Sequence, residues 1–267
     1  MSSPAGTSLR AVRRLKASEA KSGWKSCCPA WLRSTVIVSG ATSSGKTSVL
    51  NALSSFIPEG ERVLVIEDAS ELQLQQRHIV PFETRKADKN GQGEVTIRDL
   101  IHSALRLRPD RIVIGEIRGG EALDLLQALN TGHAGSMSTI HANTPLDCLR
   151  RIETCALLSG IDVPLSALRS QVASAIDAVV HTARLSDGSR KVVSISEVTG
   201  LEGSQIVMQE IFRFTQSGMD GKGRILGSFG PTGAVPSFYE TLRAHGLEME
   251  PAIFDPECTR DITLSRI

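Results

Sequence analysis

The sequence predicts an α/β fold: a mainly parallel sheet with helices on both faces, followed by a small helical and β-hairpin C-terminal region. Two observations carry this. Short β-branched runs ("TVIV", "RVLVIE", "RIVIG") alternate with helix-like segments through the first half of the chain, as in strands joined by crossover helices. The first run also feeds a glycine-bounded loop and then a helical segment, a unit belonging to parallel sheets that bind phosphate at their strand ends. With 267 residues, 40% of them hydrophobic, the chain can bury a sizeable core. The net charge of +1 gives no global field for nucleic acid, and one Tyr and two Trp leave few rings to stack bases. That near-neutrality is uneven: residues 1–34 carry seven Lys/Arg against Glu19 alone, and the remainder is net acidic. No apolar run reaches the roughly 18–20 residues needed to span a bilayer. The five cysteines show no paired CxxC spacing, so neither a disulfide framework nor a tetracysteine zinc site is expected, and a reducing compartment is.

The elements follow in order. Thr35-Val-Ile-Val is the first strand, and Gly40-Ala41-Thr42-Ser43-Ser44-Gly45-Lys46-Thr47 satisfies GxxxxGK[ST], with Ser48 opening the helix behind it. The glycines let backbone N–H groups converge on phosphate oxygens, and the helix N-terminus adds its partial positive charge. Lys46 would reach the β/γ-phosphates and the Thr47 hydroxyl would ligate Mg²⁺. This loop alone does not separate a kinase, a switch GTPase, a helicase or a motor. The strand "RVLVIEDASEL" ends in Glu67-Asp68, with Glu71 close behind, placing carboxylates where a cation or its waters would sit. Asp68 reads as a loop acid or helix cap more readily than Glu67. Pro109 breaks the amphipathic segment "IRDLIHSALRLR"; Arg111–Gly115 is the next strand, and Gly119-Gly120 opens a helix. Glu116 stands at that strand's carboxyl end, where it can polarise an attacking water; Gly115 occupies the position usual for a Mg²⁺-linked Asp, so Glu116 is expected to serve the metal too, partly through water. "NTGHAGSMSTIHAN" brackets a short strand with His133 and His141, and Ser138, Thr139 and His141 are placed to sense a γ-phosphate.

Four motifs in this order resemble the secretion ATPase superfamily of type II and type IV secretion and type IV pili: "GATSSGKT", "IEDASEL", "IVIGEIRGGEA" and "TGHAGSMSTIHAN". The linking phrases "LQLQQRHIV", "GEVTIRDLIHSALRLRPDRI" and "LLQALNTGH" are similar to the CpaF/TadA-type branch that assembles Tad/Flp pili. The resemblance implies a RecA-like P-loop domain that hydrolyses ATP with Mg²⁺. It further implies a homo-oligomer, a hexameric ring, cytoplasmic and peripheral at the inner membrane, working on an inner-membrane pilus or secretion platform protein and not on nucleic acid. It assigns Lys46 and Thr47 to nucleotide and Mg²⁺, Glu67 and Glu71 to an Asp box, Glu116 to catalysis, and His133 and His141 to a His box. Among the motif-region arginines (Arg85, Arg98, Arg106, Arg108, Arg111, Arg118), Arg118 follows the catalytic strand and is the catalytic candidate, although which arginine completes a neighbour's site stays open.

The pattern is departed from in two places. Ser43 and Ser44 stand where glycine and a small residue are usual. Only about 34 residues precede the first strand, where such ATPases carry an N-terminal domain over the nucleotide; the expectation is a truncated or out-of-frame gene start and poor turnover. The expected organisation is a basic segment over 1–34, an ATPase core over 35–143 and a helical, hairpin-rich part over 144–267. In the last part a helix starts at Thr144-Pro145, with Cys148 and Cys155 on its core face, and another starts at Pro164. Strands follow over 177–184, 190–198 and 205–214, then an edge strand "GRILGSF" and a short helix "SFYETLRAHG". A weakly active nucleotide-binding paralogue and a RecA-like nucleic-acid motor are the competing expectations.

Overall fold

The computed structural model describes residues 34–240 and 250–258. The expected basic segment, with Cys27 and Cys28, and most of the expected helix "SFYETLRAHG" lie outside the described residues. One nine-stranded sheet organises the rest, in the order β3-β2-β4-β5-β1-β6-β7-β8-β9. Its strands are β1 (Val36–Gly40), β2 (Arg62–Glu67), β3 (His78–Glu83), β4 (Arg111–Ile117), β5 (Met137–His141), β6 (Ala178–Arg184), β7 (Arg190–Glu202), β8 (Gln205–Met219) and β9 (Ile225–Pro231). The first six run parallel, and β7, β8 and β9 extend the sheet as an antiparallel meander. β1 lies between β5 and β6, so the chain leaves it toward one edge and later returns on its other side. The crevice this makes at the carboxyl end of β1 is where α/β sheets bind ligands.

Strand periodicity explains the two-sided core. In β1, Ile37 points to one face while Val36 and Val38 point to the other; in β2, Leu64 and Ile66 oppose Val63 and Val65. The Leu/Ile face packs against four helices, α2 (Ile97–Ala104), α3 (Glu121–Asn130), α4 (Pro145–Leu157) and α5 (Leu165–Ala175), through residues such as Ile101, Leu126, Leu149 and Val172. The valine face is covered by α1 (Lys46–Ser54) through Leu50. Helix starts follow capping chemistry. Thr96 caps α2 in a reciprocal box with Asp99, and the Thr144 hydroxyl accepts from the Asp147 N–H at the start of α4, with Pro145 in the first turn. Cys148 and Cys155 are buried in the core, and burial pushes both thiols up in pKa.

Two features depart from the expected elements. β3 forms despite Pro81, which is tolerated because β3 is an edge strand. β4 runs past Gly115 to Ile117, but its pairing with β5 slips: Ile114 faces Ser138, whereas Ile117 faces Ile140. Gly115 and Glu116 therefore stand opposite the single residue Thr139. This is a bulge, and it puts Ile114 and Ile117 on the same core face although they are three residues apart.

Candidate active site

The loop between β1 and α1 is set by backbone geometry first. Gly45, the residue before α1, has φ 100°, and Gly40 has φ 153°. A Cβ on Gly40 would run into the carbonyl and hydroxyl of Thr182 on the neighbouring β6 and lie 2.5 Å from Ser44 Oγ. Gly40→Ala is accordingly expected to cost about 2–4 kcal/mol in thermal or urea unfolding, through overpacking and left-handed strain together. Ser43 adopts φ 58°, the left-handed region glycine occupies freely, and its carbonyl accepts from Arg190 Nε at 2.7 Å. Ser44 shares a hydrogen bond with Thr182 Oγ1 at 2.8 Å. The loop is thus braced by two residues, Thr182 and Arg190, that lie far away in sequence.

Lys46 opens α1 and is only 8% exposed. Its ammonium donates to the carbonyls of Gly40 and Ala41 and to Nδ1 of His141, each at 3.2 Å. Burial pushes its pKa below the usual lysine range, with Glu116 opposing and Arg118 adding to the fall. His141 is brought here by register, because it pairs with Gly40 across β1 and β5. Burial holds the His141 pKa below the usual imidazole value, against the pull of Glu116. With Nδ1 accepting from Lys46, the neutral ring carries its proton on Nε2, which lies 2.8 Å from Glu116 Oε1. That contact is not aligned as a hydrogen bond, so Oε1 is buried without a donor.

The bulge in β4 is what aims Glu116 into this cluster, and the Thr139 hydroxyl fastens it by donating to the Gly115 carbonyl at 2.6 Å. Oε2 of Glu116 accepts from Arg118 Nε at 2.5 Å, and Arg118 reaches on to Asp68 Oδ2 at 2.8 Å. The carboxylate thus has one oxygen clamped by a guanidinium and the other beside the His141 imidazole. The two carboxylates raise the Arg118 pKa further, Glu116 foremost. Downstream, Glu121 Oε1 accepts the N–H groups of Arg118 and Gly119, fixing the turn into α3.

Glu67 is held within its own loop. It is 5% exposed, its Oε1 accepts the N–H groups of Glu71 and Leu72, and its stem lies 3.1 Å from where a Cβ on Gly115 would sit. It braces the loop after β2, and an aspartate at position 115 would displace it. Glu71 faces the P-loop, with Oε2 3.5 Å from the Thr47 hydroxyl. Among the described residues no three His, Cys, Asp or Glu side chains converge to hold a metal by themselves. Thr47 and Glu71 suit Mg²⁺, which takes one or two protein oxygens and completes its shell from phosphate and water. The unsatisfied Glu116 Oε1 suits a water or a proton as partner.

His133 is not brought to this cluster. It precedes β5, at the opposite end of the strand from His141, and its Nδ1 contacts the Ala128 carbonyl at the end of α3 while its own carbonyl accepts from Ser136. Ser138 and Thr139 are buried within β5, Thr139 with its hydroxyl on the Gly115 carbonyl. Of the other arginines, Arg98 pairs with Asp124, Arg111 with Glu61 and the Gly135 carbonyl, and Arg85 with the Gly93 carbonyl. Asp68, read from sequence as a loop acid, is instead the second partner of Arg118. Sequence spacing gives no sign of Thr182 or Arg190, which reach the P-loop only through the pairing of β1 with β6 and of β6 with β7.

Comparison with known proteins gives a consistent picture. The family model described as "Type II/IV secretion system protein" matches residues 30–227. A Mycobacterium tuberculosis protein named for conjugal transfer is 44% identical over 171 residues, which cover 64% of this chain and 48% of that protein. The type IV secretion system protein PtlH of Bordetella pertussis is 40% identical over 182 residues, 62% of this chain and 50% of its own. The crystal structure of the VirB11 ATPase from the Brucella suis type IV secretion system, in complex with sulphate, superposes with a TM-score of 0.57 at 29% identity, covering 71% of this chain and 55% of that one. The chain spans about half the length of the curated relatives it matches.

Proposed function

The chain belongs to the type II/IV secretion system protein family, and from that premise we propose that it is an ATP-hydrolysing motor subunit energising secretion or type IV filament assembly. The observation that carries this reading is the carboxylate of Glu116, half-buried beside the P-loop lysine, clamped on Oε2 by Arg118 and with Oε1 2.8 Å from His141 Nε2. In the proposed reaction Lys46 and the loop amides bind the phosphates, and Glu116 Oε1 orients and deprotonates the attacking water. Neutral His141, bridging Lys46 and Glu116, reports the state of the phosphate from one to the other. Bound Mg²⁺ would neutralise charge on the phosphate oxygens, held by Thr47 and Glu71 with Glu116 acting through water.

The names of the M. tuberculosis and B. pertussis relatives support export or conjugal transfer as the setting. The motif phrases shared with the CpaF/TadA-type branch support the finer reading, assembly of a Tad/Flp pilus. A hexameric ring at the cytoplasmic face of the inner membrane, docked on a platform protein, belongs to the same proposal. No helix among the described residues is long and apolar enough to cross a membrane. The proposal is tested by equilibrium titration of the purified chain with a fluorescent ATP analogue. Binding that ATP and ADP displace, weakened by chelating Mg²⁺, is expected; no displaceable binding at millimolar nucleotide sinks the reading.

A further inference from the structure

A chain of buried polar groups runs beneath the P-loop, separate from the groups described above. Ser39, fully buried in β1, places its hydroxyl 2.8 Å from Nδ1 of His181, its register partner on β6. His181 is 7% exposed. The same ring faces the backbone carbonyl of Asn143, two residues after His141 and one before Thr144, the cap of α4. From α4, the Cys148 thiol meets the Ser39 hydroxyl and Asp147 adds a more distant negative charge. Burial pushes the His181 pKa down, favouring the neutral ring. A neutral imidazole suits both neighbours in one arrangement: Nδ1 accepts from Ser39 O–H, which leaves Nε2–H as the ring's donor for the Asn143 side.

We infer that His181 is a positioning residue for the phosphate site, a strut that ties the loop carrying His141 to the strand carrying the P-loop. The strut spans the two sides of β1. Gly40 pairs with His141 on one side and with Thr182, the residue after His181, on the other. His141 itself ends the β5 ladder against β1, and beyond it the chain meets β1 through Ala142 N–H to the Gly40 carbonyl, a long 3.4 Å contact. Losing the His181 link loosens the residues that follow His141 at the end of the β5 ladder, and with them the seating of the His141 ring between Lys46 and Glu116. Displacements of about 1 Å at a reacting centre can cost on the order of a hundredfold in rate.

This role rests on the ATP-hydrolysis reading, so its test has one readout that does not need turnover. In full-length protein labelled with ¹⁵N-histidine, the His141 ring resonances of the parent are compared with those of His181→Leu and His181→Gln. Kinetics with Mg-ATP run in parallel. His181→Leu is expected to move or broaden the His141 signals and to lower kcat about ten- to hundredfold with KM changed little. His181→Gln, whose amide can accept from Ser39 and donate to Asn143, is expected to restore both to near parent values. Unmoved His141 signals in a folded His181→Leu protein overturn the inference whether or not the parent hydrolyses ATP; moved signals with no turnover in the parent uphold it and count against the ATPase reading alone. Should His181→Leu fail to fold, Ser39→Ala removes one end of the strut, and unchanged His141 signals there overturn it equally.

Discussion

Glu116→Gln is expected to lower ATP turnover by about 10²–10⁴-fold, the range for loss of a positioned general base, while nucleotide affinity stays within a few-fold of the parent. The substitution is nearly isosteric, and the amide oxygen can still accept from Arg118. What it removes is the basicity of Oε1, the carboxylate oxygen that Arg118 does not hold. Rapid-quench measurement of phosphate formation, alongside equilibrium nucleotide binding, separates the two effects. A drop in affinity equal to the drop in rate would instead make Glu116 a ligand-binding group with no special role in the chemical step.

Lys46→Met is expected to abolish measurable nucleotide binding, a loss of about a hundredfold or more, and yet to stabilise the fold by about 1 kcal/mol, a rise in Tm of roughly 2–4 °C. The ammonium is nearly buried, and its partners are two carbonyls and an imidazole, with no hydrogen-bonded carboxylate. Its folded pKa lies below the unfolded 10.5, with desolvation the leading cause. Below the folded pKa both states are protonated and the cost is fully present. Between the two values the unfolded chain binds more protons, so stability rises with pH until 10.5 is passed. Relative to Lys46→Met, the parent should therefore gain stability as the pH is raised toward 10.5, and calorimetric scans of both proteins over that window check the sign. Equal Tm values at every pH would mean that the loop carbonyls compensate the buried charge in full.

Much of the site was legible in the sequence because its parts are local. The P-loop is eight consecutive residues whose spacing is dictated by phosphate geometry, and Glu116 follows directly from a β-branched strand read to its end. What was not legible depends on pairings between distant segments. The bulge at Gly115-Glu116 appears only when β4 is set against β5, and the closeness of position 115 to Glu67, whose stem lies 3.1 Å from where a Cβ would sit, only when β4 is set against β2. Thr182 and His181 are ordinary residues of a β-branched strand until β6 lies beside β1. Asp68 reads locally as a loop acid because nothing near it in sequence tells that Arg118, 50 residues on, returns to it. The separation of His133 from His141 has the opposite origin. Composition grouped two histidines that a five-residue strand then carries to opposite ends of the sheet. In β3, Pro81 masked a strand that the sheet edge permits. The alternation of β-branched runs and helices was a sound guide to the fold, whereas the lopsided placing of helices, four on the Leu/Ile face and α1 on the other among the described residues, follows from which face each strand turns to its neighbours.

The proposed motor requires the crevice at the end of β1 to turn over ATP. The most direct measurement is inorganic phosphate released from ATP by the purified chain with Mg²⁺, over a range of protein concentrations, with Lys46→Met protein as the background. Release above that background, increasing more than in proportion to protein as a ring assembles, is the predicted result. ATP bound by the parent but phosphate release indistinguishable from Lys46→Met at every concentration would contradict it.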